Sequence, residues 1–157
     1  MLVQIVLGSK SDLEIAKKAA AVLKKLGIAY RISIASAHRT PDKVIEISKS
    51  KDAEIFIAIA GLAAALPGTI AAHTERPVIG VPVSGKVSLD SILSMVQMPK
   101  GVPVATVGLD AGDNAAILAA EILALSNKKI ADSLKKYRHE MRKAVDQDNK
   151  DLENSDV

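Results

Sequence analysis

The chain has no cysteine, so its fold cannot rest on disulfides and no metal can be held by thiolates. That absence fits a reducing compartment, and the expected location is cytoplasmic. Tryptophan is missing too, and aromatic residues make up only 2% of a sequence that is 48% hydrophobic. A core so poor in rings must be packed from Ala, Val, Ile and Leu, which favours helices lying close on a sheet. Neither sign of charge dominates: 21 Lys and Arg against 18 Asp and Glu leave a net charge of +3. With no aromatic platform and no basic cluster around a reading helix, no nucleic-acid partner is expected. The histidines His38, His73 and His139 are too scattered for a recognisable ligand spacing, and no metal is expected.

Long apolar runs are also scarce. Residues 53–72 have the length of a membrane span, but Glu54, Gly61, Pro67 and Gly68 interrupt them, and a strand, a turn and a helix of small residues explain them better. Residues 1–7 carry no basic leader and are too short for a signal core, so no targeting segment and no membrane partner are expected.

What is present is an alternation of apolar runs and amphipathic stretches. Residues 2–7 are apolar except for Gln4 and read as a strand buried on both faces. Ser11 and Glu14 have the spacing of a capping box, so a helix is expected to open there. It would turn Ile15, Ala19, Val22, Leu23 and Leu26 inward and stop at Gly27. Residues 28–35 alternate as a second strand, with Tyr30, Ile32 and Ile34 on one face. A helix from Pro41 to about Ser50 follows, and then an apolar third strand at 55–60.

Pro67 opens a helix running to His73 or Thr74, residues 77–83 form a fourth strand, and Ser88 opens a helix that ends at Val96. After the proline-rich loop from Gln97 to Pro103, a fifth strand is expected at 104–108. The helix from Gly112 or Asn114 to Leu125 is apolar nearly all round and needs cover on more than one side. From about 127 a long helix carries Ile130, Leu134, Tyr137, Met141 and Ala144 or Val145 along one stripe, read as a seam against a neighbouring subunit. Residues 146–157 are polar and are expected to be a disordered tail, leaving a single catalytic domain over 1–145. Strands alternating with helices predict an α/β fold: one three-layer, doubly wound parallel sheet of the flavodoxin-like order 2-1-3-4-5, plus the long C-terminal helix.

That order brings three unusual loops to one edge. Ser36-Ala37-His38-Arg39-Thr40-Pro41 joins an imidazole able to move a proton, a guanidinium fork for phosphate or carboxylate, and a helix start. Gly8-Ser9-Lys10-Ser11-Asp12 lies between a strand and a helix, where free N–H groups and hydroxyls hold anions and Asp12 suits a ribose hydroxyl. Gly61 to Gly68 is built of small residues against which a flat ring can lie. Together they describe a ribonucleotide monophosphate pocket, with His38 as acid and base for proton transfer, isomerisation or decarboxylation.

Those stretches, with Ala60-Gly61, Leu66-Pro67-Gly68, Val96-Gln97-Met98-Pro99 and Asn114-Ala115-Ala116, closely resemble the N5-carboxyaminoimidazole ribonucleotide mutases of purine biosynthesis. The resemblance implies a homo-octamer without metal or organic cofactor. It implies an isomerase that moves a carboxylate from the exocyclic nitrogen of the imidazole to its ring carbon, through carbon dioxide and aminoimidazole ribonucleotide. By that likeness His38 carries the proton, and Ser9, Ser11, Asp12 and Arg39 hold ribose and phosphate. Ser36, Ala37, Gly61 and Leu66 complete the substrate-binding set. The departure is Ala65, where members of that family usually have histidine. Two alternatives stay open at this point. One is the related carboxylase that takes carbon dioxide directly, whose members tend to carry lysine after the histidine. The other is a ribonucleotide-binding module that has lost its chemistry.

Overall fold

The computed structural model describes residues 2–154. Its centre is a sheet of β1 (Leu2–Leu7), β2 (Ala29–Ile34), β3 (Ala53–Ala60), β4 (Val78–Pro82) and β5 (Ala105–Thr106). All neighbours run parallel, in the order β2-β1-β3-β4-β5. The order reverses between β1 and β3, so the chain leaves those strands in opposite directions and opens a crevice at their carboxyl ends.

Helices α1 (Leu13–Lys25), α5 (Gly112–Ala124) and α6 (Lys128–Glu153) cover one face. There Ile15, Ala19, Leu23, Ala116 and Ala120 pack on Ile5, Leu7, Ile57, Ile59 and Val81. Helices α2 (Pro41–Ser48), α3 (Leu66–Ala71) and α4 (Ser88–Val96) cover the other, packing Val44, Leu66, Ile70 and Met95 on Val6, Phe56, Ala58 and Val78. With Phe56 the only phenylalanine, closeness has to replace bulk. Gly112 shows it: a Cβ there would lie 2.2 Å from the Ile15 carbonyl oxygen, so α5 rests backbone to backbone on α1.

Several local expectations change. The helix after β1 is not opened by a Ser11–Glu14 box. A 3-10 turn, Lys10–Asp12, comes first; the Ser9 side chain accepts from the Ser11 N–H, and Glu14 instead pairs with Lys17 at 2.7 Å. Ser9 thus caps the 3-10 turn at the end of β1, and α1 itself starts after Asp12 with no side-chain cap bond. Gly27 ends α1 with φ +71, the left-handed backbone its lack of a side chain permits. β5 keeps only two residues, since Pro103 cannot donate to a ladder and only β4 pairs with it. Tyr30, Ile32 and Ile34 do share a face but stay partly exposed, because β2 is an edge strand.

The C-terminal segment departs most. Residues 146–153 are helical as part of α6, where a disordered tail is expected. The stretch is held by spacing: Gln147 donates to Asp151 and Asn149 to Glu153, each four residues on, and the Asn154 amide donates to the Lys150 carbonyl. Residues 155–157 of the expected tail lie outside the described residues. The stripe on α6 also divides. Ile130 and Leu134 are buried against this domain's own core, each contributing about 2 kcal/mol, whereas Met141 and Val145 are exposed. Lys25 on α1 ties the first half down by bonding Glu140 at 2.9 Å beneath the Tyr137 ring. That hydrogen bond holds the Glu140 carboxyl below its usual range and raises Lys25 in turn. The apolar α5 is thus covered by the sheet, α1 and α6.

Candidate active site

The loops after β1, β2, β3 and β4 surround a cavity of about 640 Å³ at the switch point. The first wall is Gly8, Ser9, Ser11 and Asp12. Gly8 continues the ladder by donating to the Ile59 carbonyl at 3.0 Å, after which the Ser9-capped turn lifts the chain away from the sheet. Asp12 is buried at the start of α1, where the helix dipole favours a carboxylate, and the Ser11 hydroxyl donates to it at 2.9 Å. A carboxylate so placed is an acceptor for a sugar hydroxyl.

The second wall is Ser36, Ala37, His38 and Arg39. Its turn is pinned at both ends: the Ser36 N–H donates to the Thr40 hydroxyl at 2.9 Å, and the Thr40 N–H donates to the Ser36 carbonyl at 2.8 Å. The Arg39 N–H donates to the Ser36 hydroxyl at 3.2 Å, and its guanidinium reaches across to the Gly8 carbonyl at 3.1 Å. Arg39 therefore clamps two walls together with part of its fork, leaving further donors for an anion. His38 stands exposed at the tip of this turn, free to meet a ligand.

The third wall runs from Ala60 to Leu66. Gly61 passes so close to the next loop that a Cβ there would lie 3.3 Å from Val83 Cβ. Leu62 adopts φ 55 with its side chain mostly in solvent at the rim, and Ala65 presents only a methyl group before α3. Every residue singled out from the sequence, Ser9, Ser11, Asp12, Ser36, Ala37, His38, Arg39, Gly61 and Leu66, lines this one cavity.

The sequence reading missed the fourth wall, Val83, Ser84 and Gly85. Its signal was available in the topology, since β4 also ends at the sheet's carboxyl edge. The loop from Gln97 to Gly101 does not line the cavity. Met98 packs instead on α3, where a Cβ on Gly68 would meet its methyl carbon at 3.2 Å. His73 is on the opposite side of the fold, in a polar groove with Lys49, Lys51 and Arg76, its Nδ1 2.8 Å from the Thr69 carbonyl.

Fold and cleft together define a doubly wound α/β protein of the flavodoxin-like class, with a crevice at the carboxyl ends of β1 and β3. Within that class the chain belongs to the AIR carboxylase family, whose model matches residues 2–144. It is 57% identical over 145 residues to the N5-carboxyaminoimidazole ribonucleotide mutase of Methanocaldococcus jannaschii, covering 92% of both chains. It is 49% identical to the mutase of Thermotoga maritima, covering 91% of this chain and 86% of that one. Among solved structures it is similar to Treponema denticola PurE, with a TM-score of 0.86 and 36% identity over 96% of this chain and 98% of the other.

Proposed function

We propose that this chain is an N5-carboxyaminoimidazole ribonucleotide mutase of purine biosynthesis, with His38 as its proton carrier. The observation that carries the reading is the meeting of His38, Arg39 and Asp12 around one crevice, in a chain so similar to proteins of that name. The phosphate lies against the free part of the Arg39 fork and the hydroxyls of Ser9 and Ser11, while Asp12 accepts from the ribose. The imidazole ring lies along the small residues from Gly61 to Leu66, beneath His38.

Protonated His38 gives its proton to the exocyclic nitrogen as the carbamate C–N bond breaks, releasing carbon dioxide and aminoimidazole ribonucleotide inside the pocket. The ring carbon then attacks carbon dioxide. His38 takes the proton that this carbon loses, which restores aromaticity and returns the imidazolium to its starting state. No other co-reactant is needed, because proton and carboxyl group are both conserved.

The substrate pair separates this reading from its nearest rival. Purified protein is expected to convert N5-carboxyaminoimidazole ribonucleotide without added bicarbonate, with product followed by ultraviolet absorbance. Turnover only with aminoimidazole ribonucleotide plus carbon dioxide would make it a carboxylase, and binding without turnover in either case a non-catalytic module. Ala65 bears on rate rather than on reaction. Ala65→His puts a second imidazole at the cavity wall, and it is expected to change kcat while giving the same product; a different product would contradict the assignment.

A cytoplasmic homo-octamer is part of the same proposal. No helix among the described residues is long and apolar enough to cross a membrane. The exposed Leu89, Leu93 and Val96 on α4, with Met141 and Val145 on α6, are apolar stripes suited to neighbouring subunits.

A further inference from the structure

Two non-glycine residues among those described have left-handed backbone, Leu62 and Asp110, each with φ 55. Leu62 is on the rim of the cavity, while Asp110 is outside it, just before α5. Such a conformation costs an L-residue free energy and persists where surrounding contacts hold it, aspartate being one of the side chains that tolerate it.

The contacts at Asp110 are specific. Its own N–H donates to the Pro82 carbonyl at 2.9 Å, locking it to the end of β4. Its carboxylate Oδ1 accepts from the Ser84 N–H, also at 2.9 Å. Its carbonyl lies 3.4 Å from Lys18 Nζ on α1. The same short wall is held twice more: Ser88 Oγ accepts from the Gly85 N–H at 3.1 Å, and Ser91 Oγ donates to the Val83 carbonyl at 3.1 Å. Three successive residues of the cavity wall thus each have a backbone group bonded by a side chain. Only Asp110 comes from beyond β5 and brings a charge.

We infer that Asp110 is a positioning residue: its carboxylate fixes the Ser84 amide and so sets the Val83–Gly85 wall against which the ribonucleotide binds. The inference rests on the function proposed above. It predicts a loss of affinity rather than of chemistry, because Asp110 touches no reacting atom.

The test separates the acceptor from the backbone. Asp110→Gly keeps a left-handed residue without strain and removes the acceptor, whereas Asp110→Asn keeps both an acceptor and a tolerated conformation. In Asp110→Gly, amide exchange at Ser84, read by mass spectrometry in ligand-free protein, is expected to quicken about ten-fold. KM for the carbamate is expected to rise about ten-fold with kcat within about two-fold, as for a lost hydrogen bond whose acceptor asparagine can replace. Asp110→Asn should remain within about two-fold of the unaltered protein on each count. A wild-type KM in Asp110→Gly, equal losses in both variants, or unchanged Ser84 exchange would overturn the inference. Failure of the unaltered protein to convert the carbamate would instead overturn the function, and the exchange measurement would still decide whether Asp110 holds this wall.

Discussion

Asparagine in place of His38 is expected to lower kcat by about 10³-fold while changing the Kd for the ribonucleotide by less than about three-fold. The size follows from what is removed. The carboxyl shift needs a proton delivered to nitrogen and another collected from carbon, and asparagine can do neither near neutral pH. The sparing of affinity follows from the geometry. His38 is exposed at the tip of its turn and its ring makes no hydrogen bond among the described residues, so its loss leaves the Ser36–Thr40 pinning and the Arg39 clamp in place. Steady-state kinetics with calorimetric binding checks both halves. An unchanged kcat would remove His38 from the chemistry, and equal losses in rate and binding would make it a binding group.

Gly112→Ala is expected to cost the fold about 3 kcal/mol or more, a fall in Tm of about 10 °C. The added methyl carbon would fall 2.2 Å from the Ile15 carbonyl oxygen, and no rotamer change relieves it because both atoms are held by backbone. Helix α5 must then move off α1, opening the face that holds Ala116, Ala120 and Leu23. Since the turn of the first cavity wall leads directly into α1, activity should fall with stability. Gly85→Ala is the comparison: no atom lies within 4 Å of its added carbon, and Tm should change by less than about 2 °C. Thermal unfolding of both variants checks the pair, and equal shifts would mean that α1 and α5 part without cost.

The sheet order was legible because its cause is local. Apolar runs at 2–7 and 55–60, separated by capped amphipathic stretches, leave few ways to bury a parallel sheet. Three walls of the cavity were legible for the same reason: glycine, serine, histidine and arginine stand out where a strand hands over to a helix. The fourth wall did not stand out, because Val83-Ser84-Gly85 is ordinary in composition and only its place after β4 marks it, while the bond that Ser84 donates to Asp110, 26 residues further on, is visible only in the structure. Helicity at 146–153 was hidden because polar composition alone reads as disorder, while side-chain pairs four residues apart depend on register. The cap expected at Ser11 was misplaced because Ser9 suits the role as well: Ser9 caps the 3-10 turn that precedes α1, and α1 itself begins after Asp12 without a side-chain cap bond.

The central claim, that this crevice seats the carbamate with its reacting atoms under His38, is tested most directly by a crystal structure of the slow His38→Asn variant with N5-carboxyaminoimidazole ribonucleotide bound. Phosphate is expected on Arg39, ribose on Asp12, and the substituted side-chain amide within about 3.5 Å of the exocyclic nitrogen. A ligand seated in the groove of Lys49, Lys51 and Arg76, or one whose ring points away from the substituted position, would contradict it.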